Sequence, residues 1–272
     1  MLKWRILDTD YMDGFANMAV DEAILQQNIE GKSPPTIRFY RWNPPTVTLG
    51  YFQDYEKEML PQVCSDMGIQ IVRRLTGGRA ILHQHELTYS VVANEKEQQV
   101  SGSIIESYLK ISKALVKGLK YYGVEVEMAA RPSKEKTSAA CFDAPSWYEI
   151  VWQGRKLVGS AQTRRQGYLL QHGSIPFRFE LDLLFELLNI ASFEVKERLK
   201  RNFIKKAVGL EEITGQTANY GKLSAALAQG FADVFGVELI WGELTPDEVD
   251  LAEHLRNTKY CQDSWNHQRN KG

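Results

Sequence analysis

The sequence predicts an α+β protein, and three observations predict it. Helical and strand-like segments succeed one another out of strict strand–helix–strand alternation, which argues against a doubly wound parallel sheet. Three strand-like runs, residues 147–152, 156–163 and 168–177, follow one another across glycine-containing turns with no helix between them. The last third of the 272-residue chain changes character, opening with a helical and increasingly basic stretch, Leu181–Ala207.

Each element has its own signal. Phe15–Asn28 is rich in Ala, Met, Leu and Gln and reads as a helix that Asp13 caps. Short runs of Thr, Val, Ile and aromatics at Thr36–Tyr40 and Thr46–Phe52 read as strands after the pairs Pro34-Pro35 and Pro44-Pro45. A short helix is expected over Pro61–Met67, stopped by Gly68, followed by strands at Ile69–Arg74 and Leu87–Ala93. Ile104–Tyr122 is the clearest helix. Ser103 and Glu106 form a capping box, an apolar stripe runs through Ile104, Tyr108, Ile111, Leu115 and Tyr122, and Gly123 ends it. Val124–Met128 reads as a strand and the polar stretch Arg131–Ala140 as a mobile loop. Gln153-Gly154 makes a hairpin turn. Leu181–Ala207 reads as one helical stretch and Lys222–Phe235 as a helix ended by Gly236. Thr245, Pro246 and Glu248 open a last helix with a capping box and Pro at its first position. The division expected is a catalytic domain over residues 1–240 with a helical extension, 241–272, packed on it.

Composition narrows the function. With 33 Lys+Arg against 34 Asp+Glu the net charge is −1, so nucleic-acid binding is not the expected role. Three cysteines are too few for a disulfide framework and point to a reducing setting. The first ten residues lack the apolar core of a signal peptide, and no window has the roughly 20 apolar residues of a membrane span. The expectation is a soluble cytoplasmic protein without a membrane partner.

Four stretches carry polar chemistry. RRLTGGRAILHQHELTYS sets Gly77-Gly78 between Arg74 and Arg79 after a strand. Paired glycines let backbone amides approach a ligand, and arginines suit an anion; the same pattern also makes a simple turn with solvated arginines. His83 and His85, two apart, would share a strand face, but no Cys or carboxylate stands at a zinc-ligand spacing, so no metal is expected. In AACFDAPSWYE, Cys141 has the small neighbours Ala139 and Ala140 and lies near Asp143; it is either a nucleophile or a small apolar residue. GRKLVGSAQTR carries Lys156, which composition alone reads as a surface lysine beside a turn. LLQHGSIPF carries His172 and Gly173, which approach the strand of Lys156 if the two strands pair across 165–167. Cys64 and Cys261 have no chemical company.

Taken together and in this order, the stretches resemble the lipoate and biotin protein ligase catalytic domain. The first matches its Arg-Arg-x-x-Gly-Gly-x-x-x-x-His signature, GRKLVGSAQTR its lysine strand, and FANMAVDEAIL its N-terminal helix. ACFDAPSWYEI, with Cys141, resembles the narrower LipM-type octanoyltransferase branch. The likeness covers about Trp4 to Trp265, departing at Gln84, where many ligases carry Asp. It implies mixed, mainly antiparallel sheets flanked by helices, akin to class II aminoacyl-tRNA synthetases. It implies octanoyl transfer from octanoyl-acyl carrier protein to a lysine of a lipoyl domain, the glycine cleavage H protein or another. Cys141 takes the acyl-accepting role and Lys156 that of the signature lysine. Candidate substrate-binding residues are Arg73, Gly77, Gly78 and His83 in the first motif and Asp143 beside Cys141. Gly159, Ser160 and Gln162 follow Lys156, and His172 and Gly173 lie on the next strand.

The chemistry asks for such groups. A thioester donor is already activated, so transfer to a cysteine needs no nucleotide and no cofactor. The attacking thiolate is scarce near pH 7 and would be favoured by a protonated Lys156. An unperturbed acceptor lysine is less than about 0.1% neutral at pH 7, so a base is required, for which Lys156 and His83 are the candidates. Three alternatives share these motifs: an ATP-dependent lipoate ligase, an amidotransferase between lipoyl domains, and a non-catalytic acyl binder. The basic run Lys196, Arg198, Lys200, Arg201, Lys205 and Lys206 reads either as a docking face for acidic carriers or as a solvated helix face.

Overall fold

Eight strands build the main sheet of the computed structural model, which describes residues 1–130 and 148–267. The chain opens with β1 (Leu2–Met12), α1 (Gly14–Ile29), β2 (Thr36–Trp42) and β3 (Thr46–Leu49). Two short helices, α2 (Tyr55–Glu58) and α3 (Pro61–Asp66), lead to β4 (Gln70–Arg73), β5 (Ile81–His83) and β6 (Glu86–Asn94). Then come α4 (Ile104–Tyr122), β7 (Glu127–Ala130), β8 (Tyr148–Trp152), β9 (Arg155–Arg165) and β10 (Tyr168–Pro176). The last third holds α5 (Leu181–Leu187), α6 (Phe193–Lys206), α7 (Leu210–Thr214), α8 (Tyr220–Phe235), β11 (Val237–Trp241), α9 (Pro246–Leu255) and α10 (Asp263–Asn266).

The main sheet runs β11-β1-β2-β6-β10-β9-β8-β7. Its first two pairings are parallel and the other five antiparallel, so the sheet is mixed and mainly antiparallel. A second sheet, β4-β3-β5, stands beside it. One face of the main sheet packs on α4 and α8, with Leu115, Leu119, Leu227 and Phe231 fully buried among its strands. Its other face carries α1, and α9 lies against α1 in turn. Twelve of the sixteen residues of α1 are therefore buried, polar ones included. A third apolar cluster joins the small sheet to α3, α5 and α6.

The caps read from the sequence lie where expected: the Asp13 side chain accepts from Ala16 N–H, and the Ser103–Glu106 and Thr245–Glu248 boxes close α4 and α9. Three expectations change. The helix expected over Leu181–Ala207 is broken into α5 and α6. Leu187 O accepts from Leu60 N–H and Asn189 N–H donates to Glu58 O, so backbone that would continue the helix is spent on a neighbouring segment. The strand expected to Phe52 ends at Leu49, where Gly50–Gln53 turns. β1 and β11 were not expected from local pattern. β1 pairs with β11 through a partner more than 230 positions away, Leu2 with Val237, and the expected domain boundary at residue 240 falls inside β11. The segment after β11 is held by a buried ion pair: Arg5 donates to both carboxylate oxygens of Glu248, at 2.7 Å on one of them, and Ser33 Oγ donates to the same group at 2.6 Å.

Candidate active site

A cavity open to solvent lies where β9 and β10 of the main sheet meet β3, β5 and the Gly77-Gly78 loop. The antiparallel pairing of β9 with β10 sets His172 opposite Ala161 and Gly173 opposite Ser160, so the strand of His172 lies beside that of Lys156. Gly78, His83, Gly159, Ser160, His172 and Gly173, drawn from three separate motifs, all line this cavity, with Met18, Trp42 and Ile81 as apolar lining. Gly173 is required by space: a Cβ there would meet Ser160 Oγ at 2.6 Å and Gly159 O at 2.7 Å. Gly78 has φ +93°, a conformation that favours glycine.

Along the cavity wall runs a line of hydrogen bonds centred on Arg74. Its Nη1 donates to Thr48 Oγ1 at 3.0 Å and its Nε to Thr76 Oγ1 at 3.2 Å. Each threonine hydroxyl meets a histidine: Thr48 lies 2.8 Å from His83 Nε2, and Thr76 2.7 Å from His172 Nε2. Each histidine in turn meets a buried carboxylate, His83 Nδ1 with Glu86 at 2.7 Å and His172 Nδ1 with Asp21 at 3.1 Å. The line is consistent in its donors. Arginine only donates, each threonine accepts from it and passes its own proton to Nε2, and Nδ1–H of each ring serves a carboxylate. Asp21 also accepts from Arg38 at 2.8 Å, Tyr40 OH at 3.0 Å and Ser90 Oγ at 2.9 Å. Glu86 accepts from Ser174 Oγ at 2.6 Å and from Thr88, whose hydroxyl accepts from Trp42 Nε1 at 2.7 Å. Trp42 stacks on the His83 ring, centroids 4.1 Å apart.

Electrostatics follows burial. Burial alone would push the carboxyls of Asp21 and Glu86 up. Their histidine partners, with Arg38 on Asp21 and the Ser174 and Thr88 hydroxyls on Glu86, outweigh it and hold both below the ordinary carboxylate range. His172 is pushed down, chiefly by burial, against the pull of Asp21, and so stays neutral at pH 7. Both ring nitrogens of His83 are engaged, Nε2 with the Thr48 hydroxyl and Nδ1 with Glu86.

The remaining Arg74 donors shape the glycine loop. Nη2 donates to Gly77 O at 2.7 Å and to Arg79 O at 2.8 Å. Because the peptide is trans, Gly78 N–H points away from the pinned Gly77 carbonyl, on the exposed side of the loop. Gly78 N–H has no hydrogen-bond partner among the described residues.

Lys156 is not a surface residue. It is 3% exposed, and its Nζ lies 3.1 Å from Glu149 Oε1, itself 1% exposed. Val151 of β8 faces Lys156 of β9, and the register shifts between Val151 and Ile150, next to Glu149. The Lys156 carbonyl also accepts Val208 N–H at 3.0 Å just after α6.

Several predicted residues stand elsewhere. Arg73 is fully buried, and its guanidinium is spent on main-chain carbonyls of Gly50, Tyr51 and Gln53 on one side and of Trp265 and Asn266 on the other. It ties a turn to the C-terminal segment and does not reach the cavity. Gln162 is not among the lining residues. It accepts from Ser107 at 3.2 Å and donates to Gln171 at 3.0 Å, which continues through Tyr89 to Ser160. His85 does not share a face with His83, because β5 ends at His83; it lies 2.9 Å from Arg178 instead. Gln84 lines an adjacent groove with Arg178 and Phe179. Cys141 and Asp143 lie outside the described residues. Of the cysteines described, Cys64 is buried and its thiol is pushed up to about 11 by that burial. Sequence reasoning did not single out Glu149, Asp21, Glu86, Thr48 or Thr76. Asp21 lies in the N-terminal helix motif, Thr76 and Glu86 in the glycine-pair stretch and Glu149 at the end of the Cys141 stretch; of the five only Thr48 stands outside every motif.

Comparison with known proteins places this architecture. The lipoyl protein ligase A/B catalytic domain matches residues 13–232. The octanoyltransferase LipM of Moorella thermoacetica is 49% identical over 265 residues, covering 96% of this chain and 97% of its own. That of Brevibacillus brevis is 45% identical over 273 residues, covering 98% and 99%. Among solved structures, the bipartite lipoate protein ligase of Thermoplasma acidophilum, described with its E2 lipoyl domain, superposes with a TM-score of 0.82 at 24% identity, covering 100% of this chain and 99% of that one.

Proposed function

We propose a mechanism for this chain, which belongs to the lipoyl protein ligase A/B catalytic-domain family and acts as an octanoyltransferase in lipoate biosynthesis. The octanoyl group leaves octanoyl-acyl carrier protein, rests as a thioester on Cys141, and ends on a lysine of a lipoyl domain such as the glycine cleavage H protein. The reading is carried by the buried Lys156–Glu149 pair, on a hairpin whose first strand begins at Tyr148, seven positions after Cys141.

In the first half-reaction Lys156, as an ammonium held against Glu149, favours the Cys141 thiolate. The thiolate attacks the acyl carbon, and the carbonyl electron pair moves to oxygen. Gly78 N–H, fixed by Arg74, is a donor for that oxyanion. The intermediate collapses, and the departing carrier thiolate takes a proton from Lys156. In the second half the acceptor lysine, entering as a neutral amine, attacks the Cys141 thioester. Its surplus proton passes to the now neutral Lys156, and the Cys141 thiolate leaves, which restores the starting state. The apolar part of the cavity, with Met18, Trp42 and Ile81, suits the acyl chain. Each methylene buried there adds about 0.8 kcal/mol to binding.

The test is intact mass after incubation with octanoyl-acyl carrier protein in the absence of nucleotide. An octanoyl adduct is expected on the wild type and on Cys64→Ser, and none on Cys141→Ser. An adduct that survives Cys141→Ser, or that forms only with ATP, overturns the reading. Replacing the pair as a unit, Lys156→Met with Glu149→Gln, is expected to slow adduct formation by about 10²-fold or more. An unchanged rate removes the pair from the mechanism.

A further inference from the structure

The helix α6 is unlike the rest of the chain in charge. The whole chain has a net charge of −1, yet the 14 residues of α6 hold six basic and two acidic side chains. The basic groups are not equivalent. Lys200 is engaged, 2.7 Å from Asp182 and 3.3 Å from Glu197. Arg198, Arg201 and Lys205 are exposed and form no hydrogen bond or ion pair among the described residues. Spaced three and four apart, they make one stripe opposite the buried Leu199–Phe203 side. Ile204, 54% exposed, flanks the stripe. Position adds to charge. The helix ends at Ala207, which forms a parallel bridge with Lys156, and the next residue, Val208, donates to the Lys156 carbonyl at 3.0 Å. The stripe therefore begins two residues from the backbone contact with the lysine strand.

From this we infer that the Arg198–Arg201–Lys205 face of α6 docks the acidic surface of the carrier protein that delivers the acyl thioester. The inference rests on the function proposed above. Charge complementarity selects an acidic partner, and distance selects the donor over the acceptor. Arg198 stands nine residues from Ala207, roughly 14 Å along a helix rising 1.5 Å per residue. An acceptor lysine, with four methylenes, does not span the length of the stripe from Arg198 to the Lys156 strand. A carrier protein presents its thioester at the end of a longer prosthetic arm.

The test separates docking from chemistry by the donor used. The variant Arg198→Glu/Arg201→Glu/Lys205→Glu is compared with the wild type for acylation of Cys141 by octanoyl-acyl carrier protein and by octanoyl-pantetheine. Pantetheine carries the same thioester without the protein. The expected result is a kcat/KM lower by about 10- to 100-fold with the carrier protein at low salt, narrowing as salt rises, and no change with octanoyl-pantetheine. Single Arg201→Glu and charge-keeping Arg201→Lys variants accompany it, the first expected to lose part of the rate and the second to retain it. Equal rates with the carrier, or an equal loss with both donors, overturn the inference. A loss confined to transfer from pre-acylated enzyme to the lipoyl domain assigns the face to the acceptor and overturns it as well. Should neither donor acylate Cys141 in the wild type, it is the proposed function that has failed, and the docking inference falls with it.

Discussion

Arg74 and Arg73 are neighbours of one residue type, both buried, with different tasks. Arg73 closes a turn on the C-terminal segment. Arg74 gathers Thr48, Thr76 and two loop carbonyls around one planar group. A lysine would keep the charge of Arg74 but could not serve the acceptors at Thr48, Thr76, Gly77 and Arg79 in those directions. Arg74→Lys is expected to lower kcat for octanoyl transfer by about 10²-fold while changing KM little, since it loosens the Gly78 amide and not the apolar cavity. Steady-state kinetics checks this, and an unchanged kcat would show that the loop holds without Arg74. The burial of Lys156 also changes an expectation. Removing it alone breaks a buried ion pair, at a cost of about 3–5 kcal/mol, so a single Lys156→Ala variant reports on stability as well as on catalysis. Which residues bear chemistry was legible in the motifs; what they touch was not. His172 faces Asp21 across 151 positions, and His83 reaches Thr48 across 35.

Among the elements, α4 and α8 approach closely because glycine faces glycine. A Cβ on Gly230 would lie 2.4 Å from Gly118 N, and one on Gly118 would lie 2.7 Å from Leu227 Cα. Backbone cannot swing aside as a flexible side chain can. Gly118→Ala is therefore expected to destabilise the protein by about 1–3 kcal/mol despite the better helix propensity of alanine. Urea unfolding measures it, and a variant as stable as the wild type would mean that the helices separate freely. Both caps of α4 were readable from Ser103, Glu106 and Gly123, because capping is local. The break between α5 and α6 was not readable, because it answers to Glu58 and Leu60, over a hundred positions earlier.

Across the molecule, buried charge makes stability depend on pH. The carboxyls of Asp21, Glu86 and Glu248 are held down, burial working against this and their hydrogen-bond partners prevailing. A lowered carboxyl gives stability that is present above the ordinary value, about pH 4, and lost as pH falls through the folded value. His172, lowered by burial, acts in the same direction. Below its ordinary value of 6.5 the unfolded chain takes up a proton that the folded chain refuses. The Tm is therefore expected to fall as pH is lowered from 7 towards 4 through His172, and to fall further below about pH 4 as the carboxyls are protonated. A scan of Tm against pH measures this, and a Tm constant over that range would contradict the buried relays. Among the described residues no helix is long and apolar enough to cross a membrane.

The sequence by itself determined what is local and chemical: the α+β class, the capped helices, the hairpin strands, and the motifs whose order carries the family. These are set by spacing, caps and turns within a few residues of each other. Only the tertiary structure decided that Lys156 is buried against Glu149, that Arg73 is a tie and Arg74 the centre of a relay, and that β1 is completed by a strand from the far end of the chain. The physical reason is the same in each case. Burial and hydrogen-bond partnership are properties of pairs brought together by packing, and the partners here lie on segments too distant in the chain for any local spacing to report them.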